Sequence, residues 1–153
     1  MHILGLLAFA ILLLWAASED MRRLIIPNWI SIAIAGLYPV HVLTGPVTPD
    51  WLSAAGLAAL VLLVGFALFA ARLMGGGDVK LMAAVALWAG PGELPLLLSV
   101  TAIAGGVVAA FLLISRRIRA TRIRQEPGPE VMPYGVAIAA GGLAVALSLS
   151  KGG

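Results

Sequence analysis

The sequence predicts an all-α integral membrane protein with six transmembrane helices and both termini outside. Three observations carry that prediction. Of 153 residues, 61% are hydrophobic and only 11% charged, where a soluble domain is nearer half apolar and a quarter charged. The apolar residues fall into six runs divided by short polar or glycine- and proline-rich stretches. Nine of the ten basic residues follow the first, third and fifth runs: Arg22, Arg23, Arg72, Lys80, Arg116, Arg117, Arg119, Arg122 and Arg124. Only Lys151 falls on the other side. Lysine and arginine mark cytoplasmic connections, so those three connections are expected in the cytoplasm. One membrane-embedded domain over residues 1–153 is expected, with no separate soluble domain.

The first run, Ile3–Ala17, ends in Ser18-Glu19-Asp20-Met21-Arg22-Arg23. A secretory signal carries its positive charge before the apolar core; here the charge follows it, which predicts a retained span. Trp29–Leu43 is the second span, entered through Pro27-Asn28 and closed by Thr44-Gly45-Pro46. Pro39 lies inside it and removes one backbone donor, which predicts a kink. The third span opens at Pro49-Asp50-Trp51, with Asp50 as a solvated N-cap and Trp51 at the interface. It extends to about Met74, roughly 24 residues or about 36 Å. The fourth run, Val79–Ala89, is short, about 11–14 residues or roughly 16–21 Å. Leu94–Ile114 is the fifth, with Gly105-Gly106 suited to close helix packing. Arg116–Arg124 and the polar linker Gln125–Glu130 lead to the sixth, about Val136–Leu149, through Met132-Pro133-Tyr134-Gly135.

Composition removes several function classes. Without cysteine there is no disulfide framework, thiolate metal site or cysteine nucleophile. The net charge of +3 comes from residues beside apolar segments, so it reads as a topology signal and not as a nucleic-acid surface. Lipid headgroups are the expected neighbours of Arg116–Arg124. No metal and no cofactor is expected.

The functional signal lies in Gly75-Gly76-Gly77-Asp78-Val79-Lys80-Leu81. An ionisable residue at membrane depth costs about 2.5–3.5 kcal/mol on insertion scales, which makes it a functional candidate. Three glycines open unusual backbone conformations and let another backbone approach. A long third span feeding a short fourth places the glycine stretch below the membrane surface. Non-helical backbone is tolerated there only where protein covers it or it lines a wet cavity. Asp20 falls on the same side as Asp78 by the charge pattern, so the two predict one site. Paired carboxylates that share a proton can activate water toward an amide and protonate the leaving amine. Helix-end electrostatics and the nearby Lys80 point to Asp78 as base and Asp20 as acid. Lys80 also reads as an interfacial cation, and Pro27-Asn28 and Pro133-Tyr134-Gly135 as helix entries.

At these residues the sequence resembles the type IV prepilin peptidase family, membrane aspartic proteases with a Gly-x-Gly-Asp motif. Gly75–Leu81 matches the family's second aspartate motif. Asp20, followed by Arg22-Arg23 and Ile26-Pro27-Asn28, is similar to the first, and Pro133-Tyr134-Gly135-Val136-Ala137 resembles a third element before the last span. The resemblance implies a bacterial inner-membrane enzyme that cuts the basic leader from prepilins on the cytoplasmic side. It implies Asp20 and Asp78 as the catalytic pair, Gly75 and Gly77 as loop-shaping residues, and Pro27, Asn28, Lys80, Pro133, Tyr134 and Gly135 in support. The cytoplasmic insertion with paired cysteines found in long members is missing, so the chain is similar to the short, peptidase-only form of Flp/Tad pilus assembly. No methyltransferase activity is expected.

Two other readings of the acids stand beside this one. A presenilin-like protease would place tyrosine before the first acid and Pro-Ala-Leu before a late span, whereas here Glu19 and Pro133-Tyr134-Gly135 stand there. A proton-coupled carrier would show inverted repeats, and the chain has no evident repeat.

Overall fold

A computed structural model describes residues 2–44, 50–120 and 133–152. The Gly45-Pro46 end of the second run, Arg122, Arg124, Met132 and the linker Gln125–Glu130 lie outside the described residues. The described chain forms five helices: α1 (His2–Arg23), α2 (Asn28–Thr44), α3 (Trp51–Ala70), α4 (Gly76–Ala120) and α5 (Tyr134–Gly152). Four of them, α1, α3, α4 and α5, are long and apolar enough to cross a membrane, while α2 is a shorter apolar helix.

The fourth and fifth expected spans are one element, α4, broken in the middle. Gly90 has φ 56° and ψ −173° and is followed by Pro91, a backbone that glycine adopts at no steric cost. Contacts with α5 show that the chain reverses there. In the first arm, residues 76–89, Asp78 lies with Asp20 near the start of α5, and Val85 packs beside Gly142. In the second arm, residues 91–120, the order is opposite: Glu93 accepts from Ser148, Leu97 and Thr101 lie at Gly141, and Gly105 lies at Ala137. The first arm is about 21 Å long at 1.5 Å per residue, as short as the sequence predicts.

Each element has a local cause. Asp50 caps α3 by accepting from the Ser53 backbone N–H, the expected role. The helix stops at Ala70, short of the expected Met74. Arg72 N–H bonds to the Phe69 carbonyl, Leu73 N–H to the Leu68 carbonyl, and Arg72 turns left-handed at φ 60°. That is a Schellman ending, and it leaves residues 71–75 to link α3 to α4. The α2 helix continues through Pro39.

The core is drawn from Phe9 and Leu13 of α1, Ile30 and Ile34 of α2, Leu81, Val85 and Leu97 of α4, and Ile138 and Val145 of α5. Trp88 sits at its centre. Its ring stacks on Phe9 at 4.3 Å and its indole N–H donates to the Ile34 carbonyl at 2.9 Å. Of the expected pair Gly105-Gly106, only Gly105 meets a partner helix, at Ala137 of α5, and the closer approach is made at Gly141-Gly142. A side chain on Gly142 would run into Leu13 and Val85, whereas Gly106 faces open space. Only Ala54 and Gly65 of α3 are buried, so α3 is an outlying helix held by α4. The outward surface is apolar, with Ile3, Leu7, Ile11, Leu63, Phe66, Ile103 and Phe111 each more than half exposed, as lipid contact demands.

Candidate active site

Four helix ends meet at one place. α1 ends just past Asp20, where Leu24 takes φ 54° and gives its N–H to the Asp20 carbonyl at 2.9 Å. The chain then crosses to α2 through the buried Ile26 and the half-buried Pro27. α3 ends here at Ala70, and α4 and α5 both start here.

Asp20 is 3% exposed and Asp78 9%. Both line a cavity of about 620 Å³ whose wall is Leu24, Phe69, Ala70, residues 72–75 and Tyr134. Both also line a smaller one, about 200 Å³, between Leu24-Ile25-Ile26 and Gly75-Gly76-Gly77. The two carboxylates stand where these cavities meet, so water and an extended chain have room beside them.

Their surroundings differ. Asp20 faces the N-terminus of α5 and accepts from the backbone N–H groups of Gly135 and Val136, the latter at 3.3 Å. It caps a helix to which it does not belong. Two of the four orphan donors of α5 are thereby satisfied, and the carboxylate is fixed by backbone. Asp78 is the third helical residue of α4 and reaches back to the Gly75 N–H, half of a capping box. Its Oδ1 is buried with no partner.

The glycines now have particular reasons. A Cβ on Gly75 would stand 2.6 Å from Asp78 Oδ2, and one on Gly77 3.1 Å from the Ile26 carbonyl oxygen. A Cβ on Gly135 would stand 2.8 Å from Asp20 Oδ2 and 2.7 Å from Ile26 Cδ1. All three make space for a neighbour. The expectation of unusual backbone is not met: none of Gly75, Gly76 and Gly77 has positive φ, and Gly76 and Gly77 already belong to α4. The left-handed residues at the site are Leu24 and Arg72, one on each side of the larger cavity.

Lys80 does not turn toward Asp78. Its amine donates to Asn28 Oδ1 at 3.0 Å, tying the start of α2 to α4. Residues two apart on a helix point to nearly opposite sides, so Lys80 faces away from the acids. The structure thus brings Asp20, Asp78, Gly75, Gly77, Tyr134 and Gly135 together. Pro27, Asn28 and Lys80 stand behind them as a brace, and Pro133 precedes α5 without lining either cavity. Sequence reasoning missed Leu24, Arg72 and the Val136 N–H. Left-handed Leu and Arg have no sequence signal, and a backbone donor has none of its own. Among the described residues no three His, Asp or Glu side chains cluster to hold a metal.

No curated protein and no solved structure is matched by the chain. A protein-family model does match, over residues 7–110, which include Asp20, Ile26-Pro27-Asn28 and Gly75–Asp78 but stop before α5. That segment is more than half of the chain and holds both acids, and with it the chain belongs to the type IV leader peptidase family.

Proposed function

We propose that the protein is an aspartic endopeptidase of the bacterial inner membrane that removes the basic leader of type IV prepilins or pilin-like proteins. Its two catalytic groups are Asp20 and Asp78. The observation that carries the reading is their meeting: two buried carboxylates, 58 positions apart in the chain, on one open cavity.

The chemistry follows from what each acid touches. Two buried carboxylates that face one cavity hold one negative charge between them where they approach each other. The α5 N-terminus and two N–H donors support that charge on Asp20. The proton belongs on Asp78, which has the single donor of Gly75 and an Oδ1 with none. This reverses the roles expected from sequence, which counted Asp20 at the end of α1 but could not count the start of α5. Water, deprotonated by Asp20, attacks the scissile carbonyl carbon. Asp78 hydrogen-bonds the carbonyl oxygen, and as the carbon–nitrogen bond breaks its proton passes to the leaving amine. The water proton stays on Asp20, so the pair again holds one.

Six crossings support a cytoplasmic site. The reversal at Gly90 divides α4 into two antiparallel arms, so five helices supply six apolar segments. Arg22, Arg23 and Arg72 adjoin the helix ends that carry the acids, and basic ends belong in the cytoplasm. The leader then lies in the larger cavity and the apolar stem of the pilin enters the membrane beside it. The core unites α1, α2, α4 and α5, which supports one peptidase domain.

The test is cleavage of a co-reconstituted Flp-type prepilin by wild type, Asp20→Asn and Asp78→Asn, with N-terminal mapping of the product. Wild type is expected to cut after the leader glycine, and both folded variants to be inactive. One variant near wild-type rate refutes the two-carboxylate mechanism. A wild type that cuts no leader refutes the substrate.

A further inference from the structure

α2 and α3 each pack on α4 but build no interface with one another. Between them lies an apolar cleft formed by two cavities, about 440 and 420 Å³, that share Ala35 and Leu87. Its floor is α4, where Ala83 and Ala84 keep it deep. It is separate from the acids, because Lys80 and Asp78 leave α4 on opposite sides.

The cleft is apolar along its length except at one end. There stand Lys80, Asn28 and Ser31. Lys80 uses one donor on Asn28 Oδ1, which leaves two ammonium hydrogens and the Asn28 amide hydrogens. Ser31 is 6% exposed and its hydroxyl has no partner. A buried polar atom left unpaired costs about 1–3 kcal/mol, so a ligand that completes it is favoured. The remaining groups are donors around one positive charge, and they call for an anion rich in acceptor oxygens. The rest of the cleft calls for hydrocarbon. Asn28 opens α2 and Lys80 lies near the start of α4, the helix starts that follow Arg23 and Arg72 in the chain, and basic pockets between helices near such ends bind anionic lipid heads.

We infer that the cleft between α2 and α3 is a binding site for an anionic phospholipid, its phosphate on Lys80, Asn28 and Ser31 and an acyl chain along Ala35, Ala83 and Leu87. The lipid takes the place of a helix–helix interface and holds α2, and with it the Ile26 strand under Gly77, against α4. This inference does not rest on the proposed cleavage reaction.

Native mass spectrometry of the full-length, detergent-solubilised protein tests it, with phosphatidylglycerol and phosphatidylcholine of matched chains as probes. Wild type is expected to retain phosphatidylglycerol roughly fivefold better, the scale of one lysine's attraction to anionic lipid. Lys80→Met is expected to abolish that preference, Lys80→Arg and Arg23→Gln to keep it. Ala55→Trp, which fills from α3 the cavity that Lys80, Asn28 and Ser31 do not line, is expected to release the lipid and so tests the site even where Lys80→Met fails to fold. Equal retention of both lipids by wild type overturns the inference, as it would if the cleft took a protein helix instead. Arg23→Gln costing as much as Lys80→Met also overturns it, since the attraction would then be diffuse.

Discussion

Replacing Gly135 by alanine sets two physical effects against each other. Glycine inside a helix is worse than alanine by roughly 0.5–1 kcal/mol, so considered as a helix alone, α5 should gain. Against this, the new Cβ would stand 2.8 Å from Asp20 Oδ2 and 2.9 Å from its Cγ. The Ile26 methyl, at 2.7 Å, can rotate aside. The carboxylate cannot, because the N–H groups of Gly135 and Val136 hold it. To reach ordinary contact it must withdraw by about half an ångström, and the Val136 bond is already 3.3 Å long. A hydrogen bond to a charged group is worth about 1.5–3 kcal/mol, so losing one outweighs the helix gain. Gly135→Ala is therefore expected to lower stability. Its cleavage rate should fall between about 10- and 100-fold, the usual result of moving a reacting group by ångström fractions. The assay is prepilin cleavage in vesicles beside thermal unfolding of the same preparation. In an Asp20→Asn background the alanine should bring no further loss of rate. A more stable Gly135→Ala that cuts at the wild-type rate would refute the placement of Asp20 under α5.

The three consecutive glycines should separate by neighbour. Gly75→Ala presses on the Asp78 carboxylate and Gly77→Ala on the Ile26 backbone, while Gly76→Ala meets only the Phe69 ring, at 3.3 Å; cleavage should survive the middle change and fail in the outer two. Trp88→Ala should cost about 3–5 kcal/mol in reversible unfolding, and Trp88→Phe, which keeps the ring stack but loses the bond to the Ile34 carbonyl, about 1 kcal/mol. Asp50 is fully exposed, and the hydroxyl and then the N–H of Ser53 hold its carboxyl below the usual value of 3.8. Its contribution is thus present above that value and lost as pH falls below it, so Asp50→Ala should lower the melting temperature at neutral pH and by less in acid, with cleavage per folded molecule unchanged.

Much of this was legible in the chain because membrane helices announce themselves. Runs of 15–20 apolar residues leave few alternatives, and Asp20 and Asp78 stood out because charge at such depth is rare. The reversal between residues 89 and 92 was legible for the same local reason, Gly90-Pro91-Gly92. What could not be read depends on pairing. The sequence pointed to Gly105-Gly106 for tight packing, but a glycine packs tightly only where a partner presses on it: Gly105 makes ordinary contact with Ala137, Gly106 faces open space, and the tight contacts fall at Gly141-Gly142. Lys80 was read beside Asp78 along the chain, although two residues are about half a helical turn, which sends its amine to Asn28. The sequence reading took each acid with the end of its own helix, whereas the helix start that Asp20 meets, through the Val136 N–H, lies 116 residues further along the chain.

The three sequence elements become one object when their glycines are considered with what occupies the space each leaves. Gly77 of the second element makes room for the Ile26 backbone of the first, and Gly135 of the third makes room for Asp20 and Ile26 of the first. Ile26 is therefore the shared wedge: one buried residue, 5% exposed, seated against both α4 and α5 and only six positions from Asp20. Shortening it by one methylene, Ile26→Val, ordinarily costs about 0.5–1.5 kcal/mol in a core. Here the lost methylene carries Cδ1, the atom at Gly135, so the effect should fall on the distance between the acids more than on stability. The expected signature is a cleavage rate that drops more than the unfolding energy accounts for, and that recovers with Ile26→Leu, which restores reach toward α5. Equal, small losses in rate for both variants would mean that Asp20 is placed by α1 alone, and the wedge would then be packing without consequence for the site.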